Sequence, residues 1–388
     1  MNLPRRFCLL VFGVGLALAA WQQGTVAQDD WTQDPASREF FKKILEAPSP
    51  SGYETPVQEI VREYIAPFAD QVKTDVHGNV IAVKNPEAPL RVMLAAHCDQ
   101  IGLIVQHVDA EGFLYVQSIG GWDTQVLLGQ RMTVWAGYPL GAGPVFGVIA
   151  RKPTHLLSGA ERRNAPDMKD LWLDVGAAGQ EEASQLVRIG DPVTVELRFH
   201  AMRNHLAVSP AMDDKCGVWV IMEALRRVDK SKLKCALYAV STVQEEVGLR
   251  GATTSAFGID PHVGIAVDVT HASDCPTIDK KENGDVRLGK GPVIYRGPNM
   301  NPKVVERLVE AAEDHKIPYQ LGASGEATPT DANVIQITRA GVAAALVSIP
   351  NRYMHSPVEM ISLADLDRAA ELLARFLENL PAETDFTP

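Results

Sequence analysis

The sequence predicts an α/β protein in which a mostly parallel sheet is flanked by helices and carries an inserted small β-barrel-like domain. Helical and apolar strand-like segments alternate before residue 101 and again after residue 200, which is typical of a sheet with helices on both faces. Between these two parts, short strand-like segments follow one another with turn signals between them, which is typical of an all-β unit. The length of 388 residues also exceeds a usual single core and agrees with two domains.

The first part of the α/β domain is predicted over residues 28–105. After a loose beginning, its segments have helical, hairpin and buried-strand patterns, and the buried strand is an apolar run that ends at His97. The two predicted helices cover residues 37–45 and 55–66. The hairpin strands cover residues 72–75 and 80–83, and the buried strand covers residues 91–96.

The inserted β domain is predicted over residues 106–200. Turn signals such as Asp109-Ala110-Glu111-Gly112 separate its strands. A single helical stretch is expected inside it, over residues 181–187. The six strands of this unit are predicted over residues 103–107, 113–118, 131–136, 144–150, 171–175 and 192–199.

The second part of the α/β domain is predicted over residues 201–388, where helical patterns alternate with apolar strands again. Its last helix is long and amphipathic. The predicted helices of this part cover residues 215–228, 302–315 and 363–380. Its predicted strands cover residues 235–241, 263–269 and 342–349.

The amino-terminal residues 1–27 have the layout of a secretory signal peptide. Arg5 and Arg6 precede an apolar run over residues 7–20, and Thr25-Val26-Ala27 offers a small-residue cleavage site. The run is shorter than the roughly 20 residues of a spanning helix, so we expect export to the periplasm or secretion without stable membrane insertion. An uncleaved anchor and a twin-arginine signal are the alternatives.

Composition and charge narrow the class of protein. The chain is 46% hydrophobic and 22% charged, which is typical of a globular protein. The net charge of -11 and the lack of a basic patch in the sequence argue against a nucleic-acid partner. The cysteines beyond residue 27 are scattered and predict buried thiols rather than a disulfide framework.

Polar residues at the ends of two predicted strands are candidates for a reaction site. His97 and Asp99 share one face at a strand end, so one can hold a metal ion while the other orients the imidazole. Glu245 and Glu246 follow the strand over residues 235–241, at the edge where open α/β sheets bind ligands. Taken singly, His97 is better explained as a hydrogen-bonded core histidine, and a solvated loop explains the two glutamates equally well.

Three further positions extend this set. Asp213-Asp214 precedes a predicted helix, which a helix cap also explains. Asp268 lies in an apolar strand, where a carboxylate is costly unless it is paired or bound to a cation. His355 lies in an irregular loop beyond another strand, a place where functional residues concentrate, although a surface histidine beside a turn is the alternative.

The combined set indicates a site for two metal ions. Two histidines, two aspartates and one glutamate without a thiolate suit zinc, cobalt or manganese. Five ligands are too many for one catalytic zinc ion, which keeps a position open for water. They fit two divalent ions that share one bridging carboxylate and lower the pKa of a water molecule between them.

Several stretches resemble the tetrahedral-particle aminopeptidases, the group of glutamyl and deblocking aminopeptidases that were often labelled endoglucanases. The resemblance covers residues 40–380 and keeps the order and spacing of the motifs. The matching stretches are Ala95-Ala96-His97-Cys98-Asp99-Gln100-Ile101-Gly102, Gly120-Gly121-Trp122-Asp123, Ala211-Met212-Asp213-Asp214-Lys215-Cys216-Gly217, Gln244-Glu245-Glu246-Val247-Gly248, Asp268-Val269-Thr270-His271-Ala272, Thr330-Asp331-Ala332 and Arg352-Tyr353-Met354-His355-Ser356.

The resemblance implies a zinc-peptidase type of fold, a function and a role for each site residue. The expected activity is hydrolysis of amino-terminal residues from short peptides with a free amino terminus. The inserted domain is expected to support dimers, which assemble into dodecamers. The resemblance implies that Asp213 is the bridging ligand. His97 and Asp268 would complete the ligands of one metal ion, and Glu246 and His355 those of the other. Glu245 would be the general base, and Asp99 would orient His97.

Apolar residues of the inserted domain are compatible with such assembly. Leu127-Leu128 and Leu156-Leu157 lie in stretches flanked by turns, where exposed apolar patches often mark interfaces. The alternative is that these leucines fill the core of the small domain itself.

The sequence departs from the family pattern at positions beside the ligands. Gln100 stands where glutamate is usual, Asn333 stands where glycine is common, and the loop over residues 324–329 is altered. These changes leave the ligands intact and bear on substrate preference. An export signal is also unusual in this family.

Three other functions agree less well with the sequence. Related metallo-carboxypeptidases and deacylases share the order of ligands, but their extra domain lies between the fourth ligand and the final histidine, whereas here the long gap separates His97 from Asp213. A catalytically dead scaffold would be expected to have lost a ligand or the base. A glycosidase would use two carboxylates but leave both histidines unexplained.

Overall fold

The computed structural model describes residue 32 and residues 34–138 and 143–388. The predicted signal peptide over residues 1–27 lies outside these residues. Within the described part of the chain, no helix combines the length and the apolar character that crossing a membrane requires.

The helices and strands alternate along the chain in the order that the sequence pattern predicts for an α/β protein. The helices are α1 Pro35–Glu46, α2 Thr55–Ile65, α3 Thr124–Leu127, α4 Gly159–Arg163, α5 Gln180–Leu186, α6 Met212–Arg227, α7 Arg250–Ile259, α8 Lys280–Asn283, α9 Pro302–Asp314, α10 Asp331–Gln336 and α11 Leu363–Asn379. The strands are β1 Gln71–Thr74, β2 Val80–Lys84, β3 Arg91–His97, β4 Gly102–Val108, β5 Leu114–Ile119, β6 Arg131–Ala136, β7 Gly143–Ala150, β8 Trp172–Asp174, β9 Pro192–Val195, β10 His200–Ala201, β11 Leu206–Val208, β12 Ala236–Thr242, β13 Val263–His271, β14 Val293–Arg296, β15 Gln320–Ala323, β16 Ala343–Arg352 and β17 Met360–Ser362.

The large sheet confirms the predicted α/β class and is mixed in direction. Its strand order is β1-β2-β12-β3-β13-β16-β17-β11-β10, with β14 attached to β16 and β15 attached to β14. The central strands β12, β3, β13 and β16 run parallel, whereas β1, β2, β17, β11 and β10 add antiparallel pairs. The parallel strands are apolar along their length because helices cover both faces of the sheet.

The helices divide between the two faces of the sheet. On one face α1, α2, α6, α9 and α11 pack over a core that includes Trp219, Leu94 and Phe376. On the other face α7 and α10 cover a smaller core that includes Met93 and Ala256. Helix α6 is buried along almost its whole length because α1 and α11 pack against it on the side away from β3 and β13.

The inserted unit is a closed six-strand barrel with its own core. Its strands are joined in the order β4-β5-β8-β7-β6-β9, so the barrel lies between Gly102 and Val195. Buried residues such as Leu114, Val134 and Leu173 fill the interior. This confirms the predicted barrel-like insertion. The expectation of one helix inside it is wrong, because α3 and α4 also form there, and both are too short for a helical period to be visible.

Candidate metal centre

The predicted site residues meet at the carboxyl edge of the parallel strands. Four parallel strands end at this edge, so side chains that are far apart in sequence converge there. The loop into α6 reaches the same place. The strand and loop positions supply, in chain order, His97, Asp99, Asp213, Glu245, Glu246, Asp268 and His355.

One group of side chains surrounds His97. Its Nε2 atom lies 3.2 Å from Asp213 Oδ1, 3.8 Å from Glu245 Oε2 and 3.9 Å from Asp268 Oδ1. The ligand atoms of His97, Glu245 and Asp268 all lie within 4.8 Å of one another, close enough to hold one metal ion.

A second group surrounds His355. Its Nε2 atom lies 3.3 Å from Asp213 Oδ2 and 3.4 Å from Glu246 Oε1, and these three residues again bring their ligand atoms within 4.8 Å of one another. Asp213 therefore presents one carboxylate oxygen to each histidine. A carboxylate in this position can be shared by two ions.

The electrostatics of the site fit cations. Asp213 Oδ1 is buried and makes no hydrogen bond within the described part of the chain, although His97 Nε2 is near. Burial raises the pKa values of Glu246 and Asp268, and neighbouring carboxylates add to this effect. Buried carboxylates so close together are costly without positive charge. The donor set of imidazole and carboxylate suits zinc, cobalt or manganese.

Burial also raises the pKa of Glu245, to about 10. His97 opposes this rise, and the carboxylates of Asp268 and Asp331 add to it. Cations bound beside Glu245 would lower that pKa, because positive charge favours the carboxylate form. The side chain is therefore placed where its affinity for a proton depends strongly on its neighbours, as a proton acceptor requires.

Asp99 contacts more than the imidazole that it was predicted to orient. Its carboxylate accepts hydrogen bonds from the backbone N–H groups of Glu245 at 2.9 Å and Glu246 at 3.2 Å, and from the Ser51 hydroxyl at 2.6 Å. His97 Nδ1 lies 3.0 Å from the Asp99 carbonyl oxygen and 3.6 Å from Oδ1. Asp99 thus holds the backbone of the adjacent glutamates as well as facing His97.

Glu359 is a site residue that the sequence reasoning missed. It is buried, and its carboxylate accepts hydrogen bonds from the backbone N–H of Asp213 at 2.8 Å and of His355 at 3.0 Å. It therefore ties together the two loops that carry Asp213 and His355. An isolated acid before a short strand carries no sequence signal that would reveal this contact.

The position of the Asp214 carboxylate explains why residue 217 is a glycine. The Asp214 carboxylate accepts hydrogen bonds from the N–H groups of Gly217 at 3.1 Å and His97 at 3.3 Å. A Cβ atom at Gly217 would lie 2.3 Å from the Asp214 carboxylate. Only glycine lets this buried carboxylate fold back over the start of α6 and contact the end of β3.

Gln100 occupies a buried position behind the site. Its amide oxygen accepts a hydrogen bond of 2.7 Å from Lys215 Nζ, which also donates to the Ala47 carbonyl oxygen at 2.7 Å. Burial lowers the pKa of Lys215 to about 7. A neutral amide at residue 100 therefore meets a buried amine without forming an ion pair.

The barrel also reaches the metal centre. A Cβ atom at Gly120, beyond the end of β5, would lie 3.4 Å from Glu246 Oε2, and one at Gly121 would lie 3.4 Å from His355 Nδ1. The paired glycines let the barrel backbone approach the second group of ligands closely, which explains the Gly120-Gly121 motif.

A cavity of about 740 Å³ opens beside both groups of ligands. Beyond the site residues, its walls come from the ends of β13, β14, β15 and β16 and from the loop before α10. A larger cavity of about 1130 Å³ lies at the opposite edge of the sheet, beside Arg91 and His262, and contains none of the predicted site residues.

Comparison with known proteins gives consistent matches. The profile of the M42 glutamyl aminopeptidase family matches residues 78–372. The chain is 41% identical to a lysyl aminopeptidase of Pyrococcus furiosus over 90% of this chain and 99% of that protein.

Two solved structures resemble the whole fold. An aminopeptidase of Desulfurococcus kamchatkensis is 40% identical with a TM-score of 0.83, over 89% of this chain and 96% of that one. The TET1 peptidase of Pyrococcus horikoshii, described as assembling into a tetrahedron or a large octahedral shell, is 31% identical with a TM-score of 0.78, over 89% of this chain and all of that one.

Proposed function

Since the chain belongs to the M42 glutamyl aminopeptidase family and is a metal-dependent aminopeptidase, we propose that it removes amino-terminal residues from short peptides at a site for two divalent metal ions. The observation that carries the proposal is the position of Asp213, with one carboxylate oxygen near each histidine. His97 and Asp268 would hold one ion with Asp213, and Glu246 and His355 the other. Zinc suits this donor set best, and cobalt or manganese are the alternatives.

When bound, the metal ions would supply Lewis acidity for a water nucleophile and for the scissile carbonyl group. Glu245 would accept a proton from that water and deliver it to the leaving amine. Asp99 supports this role, because its carboxylate holds the backbone N–H of Glu245. Asp213 and Glu246, as nearby carboxylates, would favour a substrate that carries a protonated amino group.

The test of this proposal is a comparison of free and blocked peptides before and after metal removal. We expect cleavage of a tetrapeptide with a free amino terminus and none of its N-acetylated form. Dialysis against a chelator should abolish cleavage, and refilling should restore it at two ions per chain, counted by elemental analysis. Equal cleavage of the acetylated peptide, or release of residues from the carboxyl terminus, would favour a deacylase or carboxypeptidase. No cleavage of any peptide would favour a scaffold.

We further propose that the protein forms a homo-oligomer. The description of the Pyrococcus horikoshii relative as a tetrahedral or octahedral shell supports this, as does the barrel inserted between His97 and Asp213. A dimer is the expected building unit, and a dodecamer is the expected particle. Enclosure would restrict access to short, unfolded peptides.

Export is a separate proposal that the amino-terminal sequence supports. The basic pair Arg5-Arg6, the apolar run and Thr25-Val26-Ala27 form a signal layout, so the mature protein should begin near Gln28 in the periplasm or outside the cell. Amino-terminal sequencing of the native protein tests this, and a chain that still begins at Met1 or Asn2 would contradict it.

A further inference from the structure

The cavity beside the metal centre determines which amino-terminal residue can be removed. In the proposed reaction the substrate's first peptide bond lies over Asp213, so the first side chain must enter the adjoining space of about 740 Å³. An inference about this space therefore rests on the proposed function.

We infer that this cavity selects amino-terminal residues with uncharged side chains. Apart from the metal-site residues, the side chains lining the cavity in the described part of the chain include no lysine, arginine, aspartate or glutamate. A charged substrate side chain would lose its water there without gaining a partner of opposite charge.

Apolar side chains and hydroxyls that bond to each other form the walls of the cavity. Leu346 and Met354 present apolar surface to the cavity. The hydroxyls of Thr270 and Tyr295 lie 2.6 Å apart and form a hydrogen bond with each other. The Tyr295 ring is fixed by its contact with Gly322, where a Cβ atom would lie only 2.9 Å from it. These walls offer no opposite charge to a charged side chain of the substrate, and the fixed Tyr295 ring does not move aside easily.

Other hydroxyls around the cavity also have partners. Thr328 and Thr330 lie 3.0 Å apart through their Oγ1 atoms, and Asn299 donates to Thr328 at 3.0 Å. Ser324 donates to the Glu326 carbonyl oxygen at 2.8 Å. Each of these groups thus has a protein partner, and none of them carries a charge.

The experiment is a panel of aminoacyl-4-nitroanilides with leucine, methionine, glutamine, glutamate and lysine. We expect kcat/KM for the three neutral residues to exceed that for glutamate and lysine by about 10-fold or more, because of the uncompensated charge. Calorimetric titration with the free amino acids should give the same order of affinity.

A charged side chain introduced at the rim of the cavity gives a second test, because a substitution at an exposed position leaves the core unchanged. Ala323 lines the cavity from an exposed position on β15, and Leu321 is exposed on the same face of that strand but lies outside the cavity. Ala323→Lys should raise kcat/KM for glutamate, and Ala323→Glu should raise it for lysine. Leu321→Lys, the matched control, should change neither preference.

The outcomes separate the two proposals. A clear preference of the unmodified enzyme for lysine or glutamate would overturn the inference about the cavity while leaving the aminopeptidase intact. Failure to cleave any member of the panel, together with failure to cleave free peptides, would instead contradict the proposed function.

Discussion

Neighbouring glutamates in one loop face different partners in this site. Glu245 Oε2 lies near His97, whereas Glu246 Oε1 lies near His355 and shares that contact with Asp213. Since consecutive side chains in an irregular loop point in different directions, one can bind a metal ion while the other remains free to move a proton.

Glu245→Gln should therefore separate catalysis from metal binding. Glutamine keeps the shape but cannot accept a proton, so kcat should fall by about 10²- to 10⁴-fold while the metal content stays at that of the unmodified enzyme. Glu246→Gln, the matched variant at the next residue, should lose metal. Elemental analysis of both proteins decides the roles, since loss of metal in Glu245→Gln would make that residue a ligand.

The buried carboxylate of Glu359 supports a prediction about positioning. It holds the backbone of Asp213 and His355 together, and outer partners of this kind typically change metal affinity by about 10- to 100-fold. Glu359→Ala should weaken metal binding by such a factor, measured by competition with a chelating dye, even where the protein remains folded.

Asp365 provides the control for Glu359. It is also buried and accepts hydrogen bonds from two backbone N–H groups, those of Gly289 and Gly291, but it contacts no ligand residue. Asp365→Ala should lower the Tm without changing the metal affinity of the folded protein. Equal metal affinities in the two variants would show that Glu359 is merely structural.

At the scale of the element, the start of α6 depends on a glycine. A Cβ atom at Gly217 would overlap the Asp214 carboxylate, which bonds to the end of β3. Gly217→Ala should therefore displace that carboxylate and reduce both Tm and metal content. Gly258→Ala in α7 is the matched control, because nothing lies within 4 Å of its added Cβ, and the change should be neutral or stabilise by up to about 1 kcal/mol.

Sequence patterns predict the elements that position the site better than those that surround it. The strands β3, β12, β13 and β16 are long apolar runs, so His97 at the end of β3 and Asp268 within β13 can be placed from sequence alone. Helix α7 was not predicted, because its small and polar residues give no clear period.

The parts of the site that could not be predicted depend on contacts between distant loops. Strands β14 and β15 pair with each other, and β14 supplies Tyr295 to the cavity. Each of these strands has only four residues. The hydrogen bonds from Asp213 and His355 to Glu359 join residues separated by up to 146 positions in the chain. Such contacts follow from the tertiary fold, and local residue patterns do not contain them.

At the scale of the whole molecule, the surface of the barrel bears on assembly. Of the leucines considered as interface residues, Leu127 and Leu157 are buried, so they belong to the interior, whereas Leu156 is 68% exposed. On β7, Phe146 and Val148 point outward from alternate positions and are both exposed. Exposed apolar residues of this kind are common at contacts between subunits.

We expect the protein without residues 1–27 to be at least a dimer at micromolar concentration, and a dodecamer as the complete particle. Phe146→Asp should weaken assembly, because an aspartate that becomes buried between subunits loses its water. It should leave the Tm of the isolated subunit unchanged, since Phe146 is 72% exposed. Val76→Asp, at another exposed apolar position on the turn between β1 and β2, should leave the assembly unchanged. Light scattering measures each mass, and a fully active monomer from the unmodified sequence would contradict the assembly while leaving the chemistry of the site untouched.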